Sequence, residues 1–116
     1  MSDTKQSVDT TSFHLDIAKI SREFRAIAEA NNWESYHTPK NLAAAVAVEA
    51  GELLAEFQWL TEDESRSLSA VQKSQVADEI ADVLMYLIEL SVRLDINMSD
   101  AVNAKIGKNK QRFKTR

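Results

Sequence analysis

Apolar residues near the start of the chain recur at intervals of three and four positions, which is the spacing of one face of an α-helix. They are Phe13, Ile17, Ile20, Phe24 and Ile27. This spacing predicts a first helix over residues 13–30, with Ser12 as its N-cap. Asn31 and Asn32 are expected to end it, because asparagine tolerates the left-handed conformation of a helix C-cap.

A second helix is predicted from residue 39. Thr38 is a good N-cap, and Pro39 suits the first helical position because the N–H it lacks would have no partner there. Its apolar stripe consists of Leu42, Val46, Leu53, Phe57 and Leu60. Thr61 and Glu64 have the spacing of a capping box for a short helical turn, and residues 65–69 are expected to form a loop.

A third helix is predicted over residues 70–95 and a fourth after Ser99, with Gly107 expected to kink or fray the fourth. The stripe of the third helix is Val76, Ile80, Val83, Leu84, Leu87, Ser91 and Leu94, and that of the fourth is Ala101, Val102 and Ile106. Four helices with short connections favour an all-α fold, an antiparallel four-helix bundle. We expect a single domain over residues 12–113, preceded by a disordered leader, residues 1–11, and followed by a basic tail end, residues 114–116.

Composition supports this fold class. The 116 residues include two glycines and one proline, too few to punctuate an all-β fold, and no cysteine for disulfides or thiolate sites. A chain of this length buries only a modest core, which oligomerisation would complete. The sequence has no signal peptide and no apolar run of membrane-spanning length, so a cytoplasmic protein without a membrane partner is expected.

Charge is unevenly distributed along the chain. The net charge of −4 combines six basic residues in the last twelve positions with a body of net charge −10. The tail could be a nucleic-acid arm, a solvated terminus or a clamp for phosphate groups. The acidic body opposes nucleic-acid binding because it repels a polyanion. For a phosphate clamp, Lys105 and Asn109 are the best-placed residues, and Arg112 follows three positions later.

Carboxylates interrupt the apolar faces of the two long helices. Glu49 falls in the middle of the apolar face of the second helix with Glu52 on its flank, and Glu79 and Asp82 flank the face of the third. Packed together, these faces would cluster four carboxylates, which need a compensating charge. Oxygen-only ligands favour Mg²⁺ or Mn²⁺, and Mg²⁺ favours a phosphorylated substrate. The alternative is a solvated acidic face, and Glu56 could join either the site or an exposed ion pair.

Aromatic residues accompany these carboxylates. Trp33, Tyr36 and His37 precede the second helix, Trp59 ends it, and Tyr86 lies one turn beyond Asp82. A nucleobase needs flat apolar surfaces and a few polar groups. Trp33, Trp59 and Tyr86 could supply the rings and His37 a polar contact. Alternatively, the tryptophans close the core and His37 bonds within its loop.

Four segments carry a resemblance to a known family: WESYHTPKNL (33–42), VEAGELLAEFQW (48–59), DEIADVLMYL (78–87) and KIGKNKQRF (105–113). They resemble the MazG-like, all-α nucleotide pyrophosphohydrolases, and most closely the dCTP pyrophosphatase branch, over about Ile17 to Phe113. The resemblance implies a helical bundle assembled as a homodimer or homotetramer. It also implies Mg²⁺-dependent hydrolysis of nucleoside triphosphates to monophosphate and pyrophosphate, as in nucleotide-pool cleaning.

The resemblance also implies roles for individual residues. The metal ligands would be Glu49, Glu52, Glu79 and Asp82. The base and sugar pocket, which lies partly across a subunit boundary, would be lined by Trp33, His37, Trp59 and Tyr86. The phosphates would be held by Lys105 and Asn109. We hypothesise that Glu52 or Glu49 activates the attacking water. The chain departs from the family at Arg112-Phe113-Lys114, where Arg-Tyr-Pro is usual, and at Phe24, where dCTP-specific relatives have a histidine.

Three alternative functions remain at this point. A non-catalytic helical oligomerisation or nucleotide-binding module explains the periodicity but not Glu49 in an apolar stripe. A di-iron or di-manganese carboxylate bundle needs Glu-x-x-His pairs, and neither His14 nor His37 follows a glutamate at that spacing. A nucleic-acid-binding protein would depend on the basic tail.

Overall fold

The computed structural model describes residues 14–114, and within that range the regular structure is entirely helical, as predicted. The helices are α1 (Ile17–Ala30), α2 (Pro39–Ala55), α3 (Glu62–Ser65), α4 (Ala70–Arg93) and α5 (Met98–Arg112), with a 3₁₀ turn at Glu34–Tyr36. None of the helices in the described range is long and apolar enough to cross a membrane. The predicted leader and the last two residues of the tail lie outside the described residues.

Several helix ends follow from local side-chain chemistry that the sequence already indicated. Thr38 caps α2 by accepting a hydrogen bond from the Asn41 N–H, and Pro39 is the first helical residue. Thr61 and Glu64 form the predicted capping box at α3. After α1, Asn32 has φ 59°, the left-handed conformation expected there. These three predictions are confirmed.

Two predicted helix starts and one predicted helix irregularity were wrong. The first helix begins at Ile17 rather than 13, because the Asp16 carboxylate caps the Lys19 N–H; Ser12 lies outside the described residues. The fourth begins at Met98, because Asn97 rather than Ser99 provides the cap. Gly107 lies within α5, which runs unbroken to Arg112. The backbone conformation determines which polar residue acts as the N-cap. Where two such residues lie two to four positions apart, the sequence alone does not show which of them begins the helix.

Helix α4 forms the centre of the fold, with α1 and α2 packed against it. Residues Ser21 and Phe24 of α1 contact Glu89 and Tyr86 of α4, so higher numbers on one helix meet lower numbers on the other and the pair is antiparallel. The fully apolar buried residues are few among those described: Ala28, Leu42, Val76 and Ile88. Helix α5 contributes no buried residue.

A buried carboxylate links α1 to α4. Glu89 is 0% exposed and accepts hydrogen bonds from Ser21 Oγ at 3.2 Å, from Arg25 Nε at 2.8 Å and from Arg93 Nε at 2.7 Å. The apolar stripe predicted for α1 missed this contact, because the two residues of α1 that are buried are Ser21 and Ala28. Ile27, which the stripe placed inside, is 56% exposed.

Many large apolar side chains remain exposed in the isolated chain. Among them, Leu54 is 67% exposed, Trp59 86% and Val71 68%. Exposed apolar surface of this extent is typical of a chain that buries it against a partner. Oligomerisation therefore stays a prediction, with this surface as its motivation.

Candidate active site

Three carboxylates from α2 and α4 converge in the structure. Glu49, Glu79 and Asp82 each offer a carboxylate oxygen, and these oxygens lie within 4.8 Å of one another. All three side chains are half-buried. Helix α2 delivers Glu49 from the face that packs on α4, and the three-residue spacing on α4 places Glu79 and Asp82 side by side.

The electrostatics of this group indicate a missing positive charge. Burial raises the pKa of Glu49, and the negative charges of Glu52, Asp82 and Glu79 raise it further. The pKa of Glu79 is raised by burial and then by Glu52 and Asp82. Glu79 Oε1 is buried and has no hydrogen-bond partner. An orphaned carboxylate oxygen beside two further carboxylates fits the donor set of a hard divalent cation.

Glu52 and Glu56 lie close to this group without belonging to it. Glu52 is exposed, but its charge is the largest of those that raise the pKa of Glu79. Glu56 is half-buried, also raises the pKa of Glu79, and makes no salt bridge within residues 14–114. Of the two alternatives for Glu56, the structure therefore supports proximity to the acidic group rather than an ion pair.

Aromatic rings pack beside the carboxylates. The Phe24 ring centroid lies 5.3 Å from that of Tyr86 and 5.5 Å from that of His37, and Trp33 and Tyr86 each lie 6.5 Å from His37. Burial raises the pKa of Tyr86, followed by the charges of Glu49 and Asp82, so the phenol stays protonated. His37 Nδ1 is buried without a partner. Three of the four residues predicted for the base pocket thus lie together.

A cavity of about 450 Å³ opens between α1 and α4 at these rings. Its lining consists of Lys19, Ile20, Glu23, Phe24, Ile27, Trp33, Asp82, Met85 and Tyr86. Asp82 belongs to both the cavity wall and the acidic group. The cavity is therefore an apolar, ring-lined space that adjoins the carboxylates through one shared side chain, the form expected of a small-molecule site.

His37 packs against the rings without lining the cavity, and three further predicted substrate-binding residues belong neither to the cavity lining nor to these ring contacts. Trp59 follows α2 and is 86% exposed. Lys105 is exposed and Asn109 half-buried on α5, and neither lines the cavity. Their predicted contacts with substrate stay predictions.

Comparison with known proteins places this geometry in a family. The chain matches the sequence profile of the MazG-like family over residues 44–115, which include Tyr86 and the five carboxylates of the acidic group and its neighbours, Glu49, Glu52, Glu56, Glu79 and Asp82. The chain belongs to the MazG-like family. This confirms the resemblance drawn from the four sequence segments.

Relatives of the MazG-like chain share the fold as well as the sequence. It is 36% identical over 100 residues to dCTP pyrophosphatase 1 of Mus musculus and 35% identical over 100 residues to that of Homo sapiens. These matches cover 84% of this chain but 57% of each relative. A crystal structure of a pyrophosphatase from Archaeoglobus fulgidus superposes with a TM-score of 0.77 at 37% identity, covering 87% of this chain and 94% of that one.

Sequence reasoning missed part of the cavity. Lys19, Glu23 and Ile27 of α1 line it, as does Met85 of α4. The three residues on α1 follow one another at intervals of four, so they share a helix face. That spacing was visible in the sequence, but only Ile27 belongs to the predicted apolar stripe, whereas Lys19 and Glu23 lie beside it. Only the packing of α4 against α1 shows that these two charged residues line a cavity.

Proposed function

We propose that this MazG-like chain is a Mg²⁺-dependent nucleotide pyrophosphohydrolase, which converts a nucleoside triphosphate to the monophosphate and pyrophosphate. The observation that carries the proposal is the position of Asp82, shared by the three-carboxylate group and the ring-lined cavity. A nucleotide has the matching form, with a flat base at one end and a polyphosphate at the other. The names of the relatives point to dCTP or a related deoxynucleotide as substrate.

In this proposal the carboxylates hold the cation and the rings hold the base. Glu49, Glu79 and Asp82 are the ligands, and Glu52, the fourth ligand that the resemblance implied, lies beside them. The bound cation would neutralise charge on the phosphate oxygens and polarise the α-phosphorus. Trp33, Tyr86 and His37 would flank the base and sugar.

Hydrolysis forms one bond from a water oxygen to the α-phosphorus and breaks the bond to the oxygen that bridges to the β-phosphorus. The water proton must pass to a base. We assign this role to Glu52, because it adjoins the acidic group without being enclosed by it. Glu49 is the alternative base, although its half-buried carboxylate is one of the three that converge as candidate ligands.

Pyrophosphate release from each deoxynucleotide and ribonucleotide, with Mg²⁺, with Mn²⁺ and with chelator, tests the reaction. Glu79→Gln should abolish release in Mg²⁺ while leaving the helical circular dichroism unchanged, because the substitution removes one ligand charge. Glu29→Gln is the matched control, since Glu29 is an exposed glutamate of α1 outside the cavity. Absence of release from every nucleotide would contradict the proposal.

We further propose that a homodimer or homotetramer completes the site, with Trp59, Lys105 and Asn109 reaching the substrate bound by a neighbouring copy. The support is the exposure of Trp59 and of the other apolar residues in the single chain. Mixing Trp59→Ala and Glu79→Gln chains, each inactive alone, should restore part of the activity, because one mixed site would then contain both native residues. If a demonstrated mixed oligomer recovers no activity, the proposal that neighbouring copies share a site is contradicted.

The proposed role is removal of unwanted deoxynucleotides from the cytoplasmic pool. It rests on the chemistry of the substrate, which is a free nucleotide. Microscopy of the tagged protein and nucleotide-pool measurement in a deletion strain test the location and the role together.

A further inference from the structure

Two charged side chains line the ring-lined cavity in addition to Asp82. They are Lys19 and Glu23, both on α1 and both exposed. Their spacing of four residues brings them onto one helix face, where a salt bridge would be expected. Within the described part of the chain, neither side chain has a hydrogen bond or a salt bridge. Both side chains therefore line the cavity without a protein partner.

The positions of these charges along the cavity follow from the antiparallel packing of α1 and α4. Phe24 lies opposite Tyr86, and Ser21 lies opposite Glu89. With a rise of 1.5 Å per residue, Glu23 is level with a point about 8 Å beyond Asp82 on α4, and Lys19 with a point about 13 Å beyond it. Along α4 the cavity thus runs from Asp82 to Phe24 and Tyr86, with Glu23 directly beside these rings and Lys19 beyond them.

A nucleotide bound with its phosphates at the carboxylates and its base among the rings would direct the edge of the base toward Glu23 and Lys19. A carboxylate accepts hydrogen bonds and an ammonium donates them. The complementary base edge carries an amino group beside an unprotonated ring nitrogen. Adenine shares this edge, but among the pyrimidines cytosine alone has it, because uracil and thymine carry a keto oxygen in place of the amino group.

We propose, on the basis of the pyrophosphohydrolase function above, that Glu23 and Lys19 determine base specificity and select a cytosine nucleotide over its keto counterpart. Glu23 accepts from the exocyclic amino group, and Lys19 donates to the acceptor atoms next to it. A keto base places an oxygen against the Glu23 carboxylate. Binding of that base therefore loses the hydrogen bond to Glu23 and also suffers repulsion between the two oxygens. The pair acts through recognition of the base and takes no part in the hydrolysis step.

The test compares kcat/KM for dCTP and dUTP, which differ at this edge alone, on one preparation of each variant. Glu23→Gln should lower the dCTP/dUTP ratio about 10-fold, because the amide can both donate and accept. Lys19→Met keeps most of the side-chain length, removes the charge and should also lower the ratio. Glu29→Gln and Lys73→Met are the controls, since both residues are exposed and lie outside the cavity, and the ratio should not change.

A ratio within a preparation does not depend on the fraction of folded protein, so a partly unfolded variant still gives a result. If the unsubstituted protein hydrolyses both nucleotides equally, or if both cavity variants retain its ratio, the specificity proposal is overturned while the pyrophosphohydrolase function stands. If it hydrolyses no nucleotide, the function itself fails and the specificity proposal falls with it. A lowered ratio in the control variants would also overturn the assignment.

Discussion

Glu89 provides the sharpest test of what holds α1 to α4. We expect Glu89→Gln to lower the free energy of unfolding by about 3 kcal/mol, the scale of a broken buried ion pair. The carboxylate is 0% exposed and accepts two charge-assisted bonds, at 2.8 Å from Arg25 and 2.7 Å from Arg93. Each such bond contributes about 1.5–3 kcal/mol. Part of this lost free energy is recovered in the variant, because the side chains of Arg25 and Arg93 are 39% and 28% exposed and can form hydrogen bonds with water instead.

The assay is urea unfolding followed by circular dichroism, at one protomer concentration because any assembly shifts the midpoint. A lower midpoint with an unchanged slope reports lost stability rather than a changed unfolded state. Asp63→Asn is the matched control: its pair with Arg66 has a similar length, 2.6 Å, but the Asp63 side chain is 97% exposed. Exposed pairs contribute little, so its midpoint should hardly move. Equal effects of the two substitutions would refute the reasoning from burial.

Two further predictions concern the core and the acidic group. Leu42→Ala should lower the free energy of unfolding by about 2–5 kcal/mol in the same urea assay, because the Leu42 side chain is 1% exposed and its removal leaves a cavity. Leu54→Ala is the control. Because Leu54 is 67% exposed, its replacement should lower the free energy of unfolding far less unless assembly buries it. In the presence of chelator, the free energy of unfolding should fall as the pH rises from about 4.5. The pKa values of Glu49 and Glu79 are raised in the folded state. Between the unfolded and the folded pKa values the folded state therefore holds more protons than the unfolded state, and a rise in pH destabilises it. Mg²⁺ should remove this fall, and a pH profile that Mg²⁺ leaves unchanged would argue against a cation site.

Much of the candidate site could be predicted from the sequence, because Glu49 interrupts an apolar stripe. A carboxylate in that position must be paired, neutralised or bound to a cation, whatever the fold. The three-residue spacing of Glu79 and Asp82 places both on one side of α4, so only the packing of α2 against that side was needed to bring the three carboxylates together. The cavity was harder to predict, because Lys19 and Glu23 in its α1 wall look like an ordinary solvated flank until α4 lies opposite.

The sequence by itself determined the helical class and several helix ends, because periodicity and caps such as Thr38 and Thr61 act over three or four residues. Tertiary structure decided which flank of each helix became buried. It turned α1 so that Ser21 and Ala28 face the core, placed Glu89 between two arginines, and left Trp59 in solvent. The physical reason is that burial depends on the surface of the neighbouring helix, and no pattern within one helix specifies which neighbour it meets or at what rotation.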